Sequence, residues 1–301
     1  MKFGPTAYKA PLVSTALCLA LGILASAARA ESSLQSIPTT AAPEGYPPSQ
    51  DIHYQVGGGL IYAPVFLGSK DYRLMAAPDI ALQYKDKIFA SVEQGIGYNL
   101  LNQGGWRLGP LAKMEFGRRE NGYTPFNIDG KKTTALRGLG NVDSTVELGG
   151  FGSYTWHDVT SKAEILQGVN GDKGLKTEVS VSYARDVHKV LYTEGPPLIV
   201  SLTPHITMVD QTYDKAYFGI NALQSTRSGL AQYHPSGGVL SYGLTDTAVL
   251  PITQSVTAVL MAAYDRLGND AGDSPLVKYR GSPNQCFIGF FLTYNFGFDM
   301  R

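Results

Sequence analysis

Histidines, hydroxyls beside histidines, and clustered charges are where this chain could do chemistry, and they are sparse. His53, His157, His188, His205 and His234 are far apart in sequence. No H-x-x-x-H or H-E-x-x-H spacing occurs, so a compact local zinc motif is absent. Neither G-x-S-x-G nor a Walker A sequence is present. His205 and Thr207 lie two apart, so on a strand their side chains point the same way. A base beside a hydroxyl near the outer rim is what a lipid hydrolase would need. A polar face lining a lumen explains the same pair without catalysis. Arg266 with Asp265, Asp270 and Asp273 could bind a cation or a lipopolysaccharide head group, or serve as loop charges around the turn-forming Asp273-Ser274-Pro275. Arg118-Arg119-Glu120 and Lys131-Lys132 flank a loop rich in Asn and Gly and could meet anionic lipid phosphates or stay solvated. Gly57-Gly58-Gly59 reads as close-packed strand, since no helix signal follows it. The expectation is a non-enzyme with no catalytic, cofactor-binding or metal-ligating residues.

The elements that must carry these residues follow from composition. Charged residues are 17% of 301, below the roughly 25% of soluble domains. Gly is abundant at 34, and Tyr (18) and Phe (12) far outnumber Trp (2). Mean hydropathy is −0.08, which fits neither a helical membrane bundle nor a disordered polyampholyte. Lys+Arg and Asp+Glu are both 25, so no basic excess points to nucleic acid.

The N-terminus has the features of a secretory signal over residues 1–30. Lys2 and Lys9 precede an uncharged apolar run from Leu12 to Leu24, and Ala28-Arg29-Ala30 gives an A-x-A cleavage site. That run spans only about 20 Å as a helix, short of the ~30 Å membrane core. Cys18 would leave with the signal, and Cys286 alone cannot form an intrachain disulfide or a cysteine-based metal site. An exported fold without disulfides must be held by something else, such as a closed hydrogen-bonded barrel. Residues 31–51, with Pro38, Pro43, Pro47 and Pro48, read as a flexible periplasmic tail. Residues 52–301 read as one domain.

That domain alternates with period two. From Cys286, alternate positions run Cys286, Ile288, Phe290, Leu292, Tyr294, Phe296, Phe298, while Gln285, Phe287, Gly289, Phe291, Thr293, Asn295 and Gly297 form a mixed face. Fourteen alternating residues exceed an ordinary strand and suit a tilted membrane-crossing one. The spans 143–156, 175–186, 198–209 and 254–265 repeat the pattern, with weaker candidates at 52–62, 76–85, 88–98, 106–118, 159–169 and 237–249. Polar sets such as Lys176, Glu178, Ser180 and Asp186, or Asp143, Thr145 and Glu147, would face the lumen. Gly and β-branched residues inside these runs argue against helices. The reading is all-β: an antiparallel transmembrane β-barrel, since in lipid only a closed sheet pairs every backbone group. Eleven candidates are one short of an even number. A further strand is expected within 119–142 or 210–236, giving twelve, with ten as the alternative. Counting back from the last strand puts 119–142, 210–236 and 268–284 outside and Pro251-Ile252 in a periplasmic turn.

The stretch Phe66-Leu67-Gly68-Ser69-Lys70-Asp71-Tyr72, followed by Pro78, resembles the early signature of the MipA/OmpV family of outer-membrane proteins. In order downstream come Leu136–Asp143 running into Val146–Gly149, then Tyr217–Ile220, Tyr264–Leu267, Asp270–Pro275 and Gly281–Gln285, so the resemblance spans about 55–298. Such barrels commonly end on an aromatic; here Asp299-Met300-Arg301 follow Phe298. The resemblance implies residence in the outer membrane of a Gram-negative bacterium, among phospholipid and lipopolysaccharide. It also implies scaffolding, in which a murein-degrading lytic transglycosylase, MltA, is held near a murein-synthesising penicillin-binding protein. Other members are porin-like or adhesive, so a narrow channel for small solutes is the alternative. No nucleic acid and no cofactor are implied.

Overall fold

A computed structural model describes residues 52–123, 126–129, 133–191 and 195–298. The expected signal at 1–30, the expected tail at 31–51, Lys131, Lys132 and residues 299–301 lie outside these.

Among the described residues there are fourteen strands: β1 (Ile52–Pro64), β2 (Tyr72–Tyr84), β3 (Ile88–Ser91), β4 (Gly95–Tyr98), β5 (Leu101–Gln103), β6 (Trp106–Glu115) and β7 (Asn127–Asp129). They continue as β8 (Thr145–Trp156), β9 (Val159–Gly168), β10 (Leu175–Asp186), β11 (Ile199–Val209), β12 (Gly238–Pro251), β13 (Val256–Leu267) and β14 (Asn284–Phe298). Five short helices are described between them: α1 (His188–Leu191), α2 (Gln211–Phe218), α3 (Ala222–Ser228), α4 (Asn269–Asp273) and α5 (Pro275–Arg280). No described helix is long and apolar enough to cross a membrane.

All ladders are antiparallel, and β1 pairs with both β2 and β14, which closes the sheet. The ring contains twelve strands; β5 extends the β4 side of β6, and β7 pairs with β2 off the ring. The count of twelve holds, but the twelfth strand was not in either long loop. The expected strand at 88–98 is a hairpin, with β3 and β4 paired from Ile88↔Tyr98 to Ser91↔Gly95. Residues 210–236 hold α2 and α3 instead, and among its described residues 119–142 contributes one strand, the three-residue β7.

The short β3–β4 hairpin leaves the upper part of β2 without a long neighbour on that side. Ala76 N–H donates to the Phe126 carbonyl, and the Ile80 carbonyl accepts from Val92 N–H. Residues of this parity therefore turn their peptide groups away from β1. Pro78 shares that parity, so the N–H it lacks is one no ladder needs, which is where a strand tolerates proline.

The two faces of the wall follow the alternation. On β14, Leu292 is 46% exposed on the outside and Thr293 3% exposed on the inside. Outward aromatics form two rows. Tyr54 stacks on Phe296 and Trp106 meets Tyr154 at a tilt at one end, and Tyr62 stacks on Tyr72 at the other. Ile288, which faces Tyr62, is eight residues from Phe296. At ~3.4 Å per residue and ~40° tilt that is about 20 Å, close to the ~25 Å apolar band of outer-membrane barrels. By register Asp246 shares the outward face with its neighbours Leu202 and Ala262, a charge that explains why 237–249 alternated weakly.

Short turns (85–87, 104–105, 157–158, 252–255) and the 187–198 segment lie at one end. The connections 65–71, 116–144, 169–174, 210–237 and 268–283 lie at the other. Outer-membrane barrels put short turns in the periplasm and long loops outside, which agrees with the orientation read from sequence.

Candidate functional site

The inward face of the barrel is a ladder of charges on successive strands. Lys176 of β10 reaches Glu115 of β6, and Glu147 of β8 at 2.9 Å. Beside this triad, Glu164 of β9 takes Lys113 at 2.5 Å and Lys162 at 2.6 Å. Farther round, His205 Nε2 lies 3.0 Å from Asp265 Oδ1, and Thr207 Oγ1 donates to Glu178 at 3.5 Å. Buried charges persist only when paired and hydrogen-bonded, and here the pairs mostly reach across an intervening strand, as from β10 to β8 and from β9 to β6.

Exposure along the inward face is graded. On β10, Asp186 is exposed at the turn end, Ser182 is half-buried, and Ser180, Glu178 and Lys176 are buried toward the loop end. On β8 the series runs from exposed Thr155 through Ser153 to buried Glu147 and Thr145. On β1 it runs from exposed His53 through Gln55 to buried Ile61 and Ala63. The interior is a cup, reached from the turn end and filled at the loop end.

What fills it is a packed cap. Tyr213 and Phe218 of α2 pack with Leu267, Ala271 and Val277. Phe66, Leu136, Leu139, Ile220, Leu230 and Leu276 form a second apolar cluster. Local signals shape its helices. The Asp210 side chain caps α2 by accepting from Tyr213 N–H, and Asn221 with Gln224 forms a capping box on α3. Gly229, at φ 74°, ends α3 in the left-handed conformation. Long-range bonds then lock the loops together. Arg118 Nη1 donates to the Tyr217 carbonyl at 2.5 Å, and Ser274 Oγ to the Phe218 carbonyl at 2.8 Å. Gly68 N–H donates to Gln285 Oε1 at 3.0 Å, while Gln285 Nε2 donates to the Ser69 carbonyl at 3.2 Å. The Arg280 guanidinium donates to the carbonyls of Ala135 and Ser228. Gly68 adopts φ +93°, and a Cβ there would meet Val277 at 2.8 Å, so this turn requires glycine.

The groups singled out from sequence are placed separately. His205 and Thr207 do share the inward face, but His205 is held between the Asp265 carboxylate and, at 3.3 Å, the Thr203 carbonyl. Both ring nitrogens therefore face acceptors inside the wall, away from the outer rim. The Arg266 group is split. Asp265 points inward, Arg266 Nη1 donates to Asn284, Asp270 accepts from Ser236, and Asp273 pairs with Lys278 at the surface. Asp143, expected on the lumen face, lies in the loop 3.5 Å from Arg119, both exposed. Gly57 and Gly59 are close-packed strand: a Cβ on Gly59 would meet the Phe291 ring at 2.4 Å. Among the described residues, no group of three or more His, Cys, Asp or Glu could hold a metal ion.

A model of the family described as MltA-interacting protein MipA matches residues 56–296. The chain belongs to this family. Among curated MipA relatives, outer membrane protein OmpV of Vibrio cholerae serotype O1 is 30% identical over 171 residues, 56% of this chain and 57% of that protein. The putative outer membrane protein YiaT of Escherichia coli K12 is 27% identical over 169 residues, 54% and 59% of the two chains. The matched stretch thus spans little more than half the length of these relatives. Among solved structures, an outer membrane channel from Pseudomonas putida F1 is similar at 10% identity, with TM-score 0.44, over 87% of this chain and 100% of that one. The NanC porin is similar at 8% identity, with TM-score 0.36, over 81% and 98%.

In this MipA-family barrel most of the segments that carry the resemblance converge on the cap, while Val146–Gly149 and Tyr264–Leu267 lie in β8 and β13. Phe66–Tyr72 forms the β1–β2 loop under Gln285; Leu136–Asp143 and Tyr217–Ile220 supply its apolar clusters; Asp270–Pro275 and Gly281–Gln285 anchor it to β13 and β14. Sequence alone presents them as separate loop motifs; their shared role becomes visible only when the closed sheet brings one end of every strand together.

Proposed function

We propose that this outer-membrane barrel is a sealed, non-catalytic anchor that docks murein-remodelling enzymes at its periplasmic end. The observation that carries the reading is the graded lumen: the loop end is filled by a packed cap, while the turn end is open and polar. A through-pore needs both ends open. A docking protein needs only a fixed platform facing its partners. The turn end also presents apolar side chains to solvent, Val190 of α1 at 84% exposure and Ile252 in the β12–β13 turn. The family's description names an interaction with MltA, and we carry that partner class to this chain, with a penicillin-binding protein as the second client.

The non-catalytic part is supported by His205, whose two ring nitrogens both face acceptors of the protein itself. A second reading, a narrow gated channel, is favoured by the charged ladder, since an inert anchor has no need of a polar interior. Photo-crosslinkers placed at Val190 and Ile252, and at Tyr279 in the cap as a control, test the docking reading in cells. Adducts with lytic transglycosylase or penicillin-binding protein from the first two positions are expected. Adducts from Tyr279 alone, or none with murein enzymes, would overturn it.

A further inference from the structure

A cavity of about 460 Å³ opens at the loop end between residues 119–123 and 133–141. Its polar lining is weighted toward donors and positive charge, with two guanidiniums against one carboxylate. The oxygen of Asn121 accepts from Tyr123 N–H at 2.9 Å and that of Asn141 from Glu120 N–H at 2.8 Å, so both side chains are left with amide N–H groups to offer. Glu120 is the one lining carboxylate, and its Oε1 is occupied by Gly138 N–H at 2.6 Å. Arg119 and Arg137 both line the cavity and are exposed. Arg119 meets Asp143 only at 3.5 Å, with both side chains solvated, a contact of little strength. Tyr123, 66% exposed, lines the same space with an aromatic face.

We infer that this cavity binds a sugar bearing a phosphate or carboxylate. Two guanidiniums and two amide groups are suited to an anionic group, because arginine forms paired charge-assisted hydrogen bonds with phosphate and carboxylate. A bare ion would leave most of the volume empty. The Thr134 hydroxyl and the Tyr123 ring supply what a sugar ring needs, polar contact at its edge and an apolar surface for its face. The same chemistry reaches the cell surface as a soluble sugar phosphate or as a lipopolysaccharide head group. The site lies at the opposite end of the barrel from the docking surface and does not depend on it.

Calorimetric titration of the full purified protein in detergent tests this. The probes are glucose 6-phosphate, glucose and inorganic phosphate. Glucose 6-phosphate is expected to bind at least tenfold more tightly than either of the others and to weaken as salt is raised. Arg119→Gln and Arg137→Gln should each weaken it at least tenfold, with heat-modifiable migration on gels showing that both variants are folded. Lipopolysaccharide in mixed micelles then distinguishes the sources: competition with glucose 6-phosphate assigns the site to the lipid head group, and no competition assigns it to a soluble sugar. Equal binding of glucose and glucose 6-phosphate, binding of inorganic phosphate as tight as the sugar phosphate, or unchanged affinity in both variants would overturn the proposal.

Discussion

The Tyr213 hydroxyl donates to Glu115 Oε1 at 3.3 Å, joining helix α2 of the cap to the charged layer of the wall. Glu115 also takes Lys176, whose ammonium lies 2.9 Å from Glu147 and 5.9 Å from the centre of the Tyr213 ring. One lysine therefore holds together two strands that would repel and the helix above them.

Lys176→Met should be strongly destabilising, because it leaves Glu115 and Glu147 buried without their cation. Breaking a buried pair costs about 3–5 kcal/mol, whereas replacing all members with neutral groups costs far less. The triple variant Lys176→Met, Glu115→Gln, Glu147→Gln should regain most of the loss. Urea unfolding in vesicles, followed by the fluorescence of Trp106 and Trp156, measures both. Equal stability of the single and triple variants would count against the triad.

Leu292→Arg should cost ~2–4 kcal/mol, as expected for a cation on the lipid face near the midplane. Facing the lumen does not make Thr293 a lenient comparison: it is packed against Gly57, where an added Cβ would lie 2.7 Å from the Thr293 Cα. The open part of the lumen is the turn end, so Thr155→Arg is the mild substitution. A similar loss at Leu292 and Thr155 would contradict the assignment of faces.

The cap should loosen as pH rises. Burial, with a further push from Asp270, raises the Asp214 carboxyl to about 6, against a smaller opposing pull from Gly237 N–H. An acid whose pKa is raised in the folded state binds protons more tightly there than when released. Its contribution is complete below about pH 4 and is lost as pH rises through about 6. Hydrogen-exchange protection of α2 should be greater at pH 5 than at pH 7.5, and Asp214→Asn should remove the difference. A variant with the wild-type pH dependence would place the titrating group elsewhere.

The wall was legible in the sequence because period-two alternation survives in every long strand, even where Pro78 or Asp246 interrupts it. The β3–β4 hairpin was missed because Ile88, Ala90, Ile96 and Tyr98 keep the same parity on both sides of the turn; the left-handed Gly95, at φ +80°, was the local mark of the reversal. The helices of the cap carried readable signals, the Asn221–Gln224 capping box and Gly229, within a stretch read as loop. The cap itself was not legible. Its ties join residues such as Gly68 and Gln285, 217 apart in sequence, and only barrel closure brings them together. The same holds for Arg119 and Arg137, which sequence placed in separate motifs.

Closure of the loop end over a lumen open to the periplasm is the central claim, and single-channel recording in planar bilayers tests it most directly. The wild-type protein should show no steady conductance. Shortening residues 211–236 to a brief Gly-Ser linker removes α2 and α3 and should open an ion-passing pore through the polar lumen. A steady, voltage-independent conductance from the wild type, unchanged by that deletion, would contradict the account.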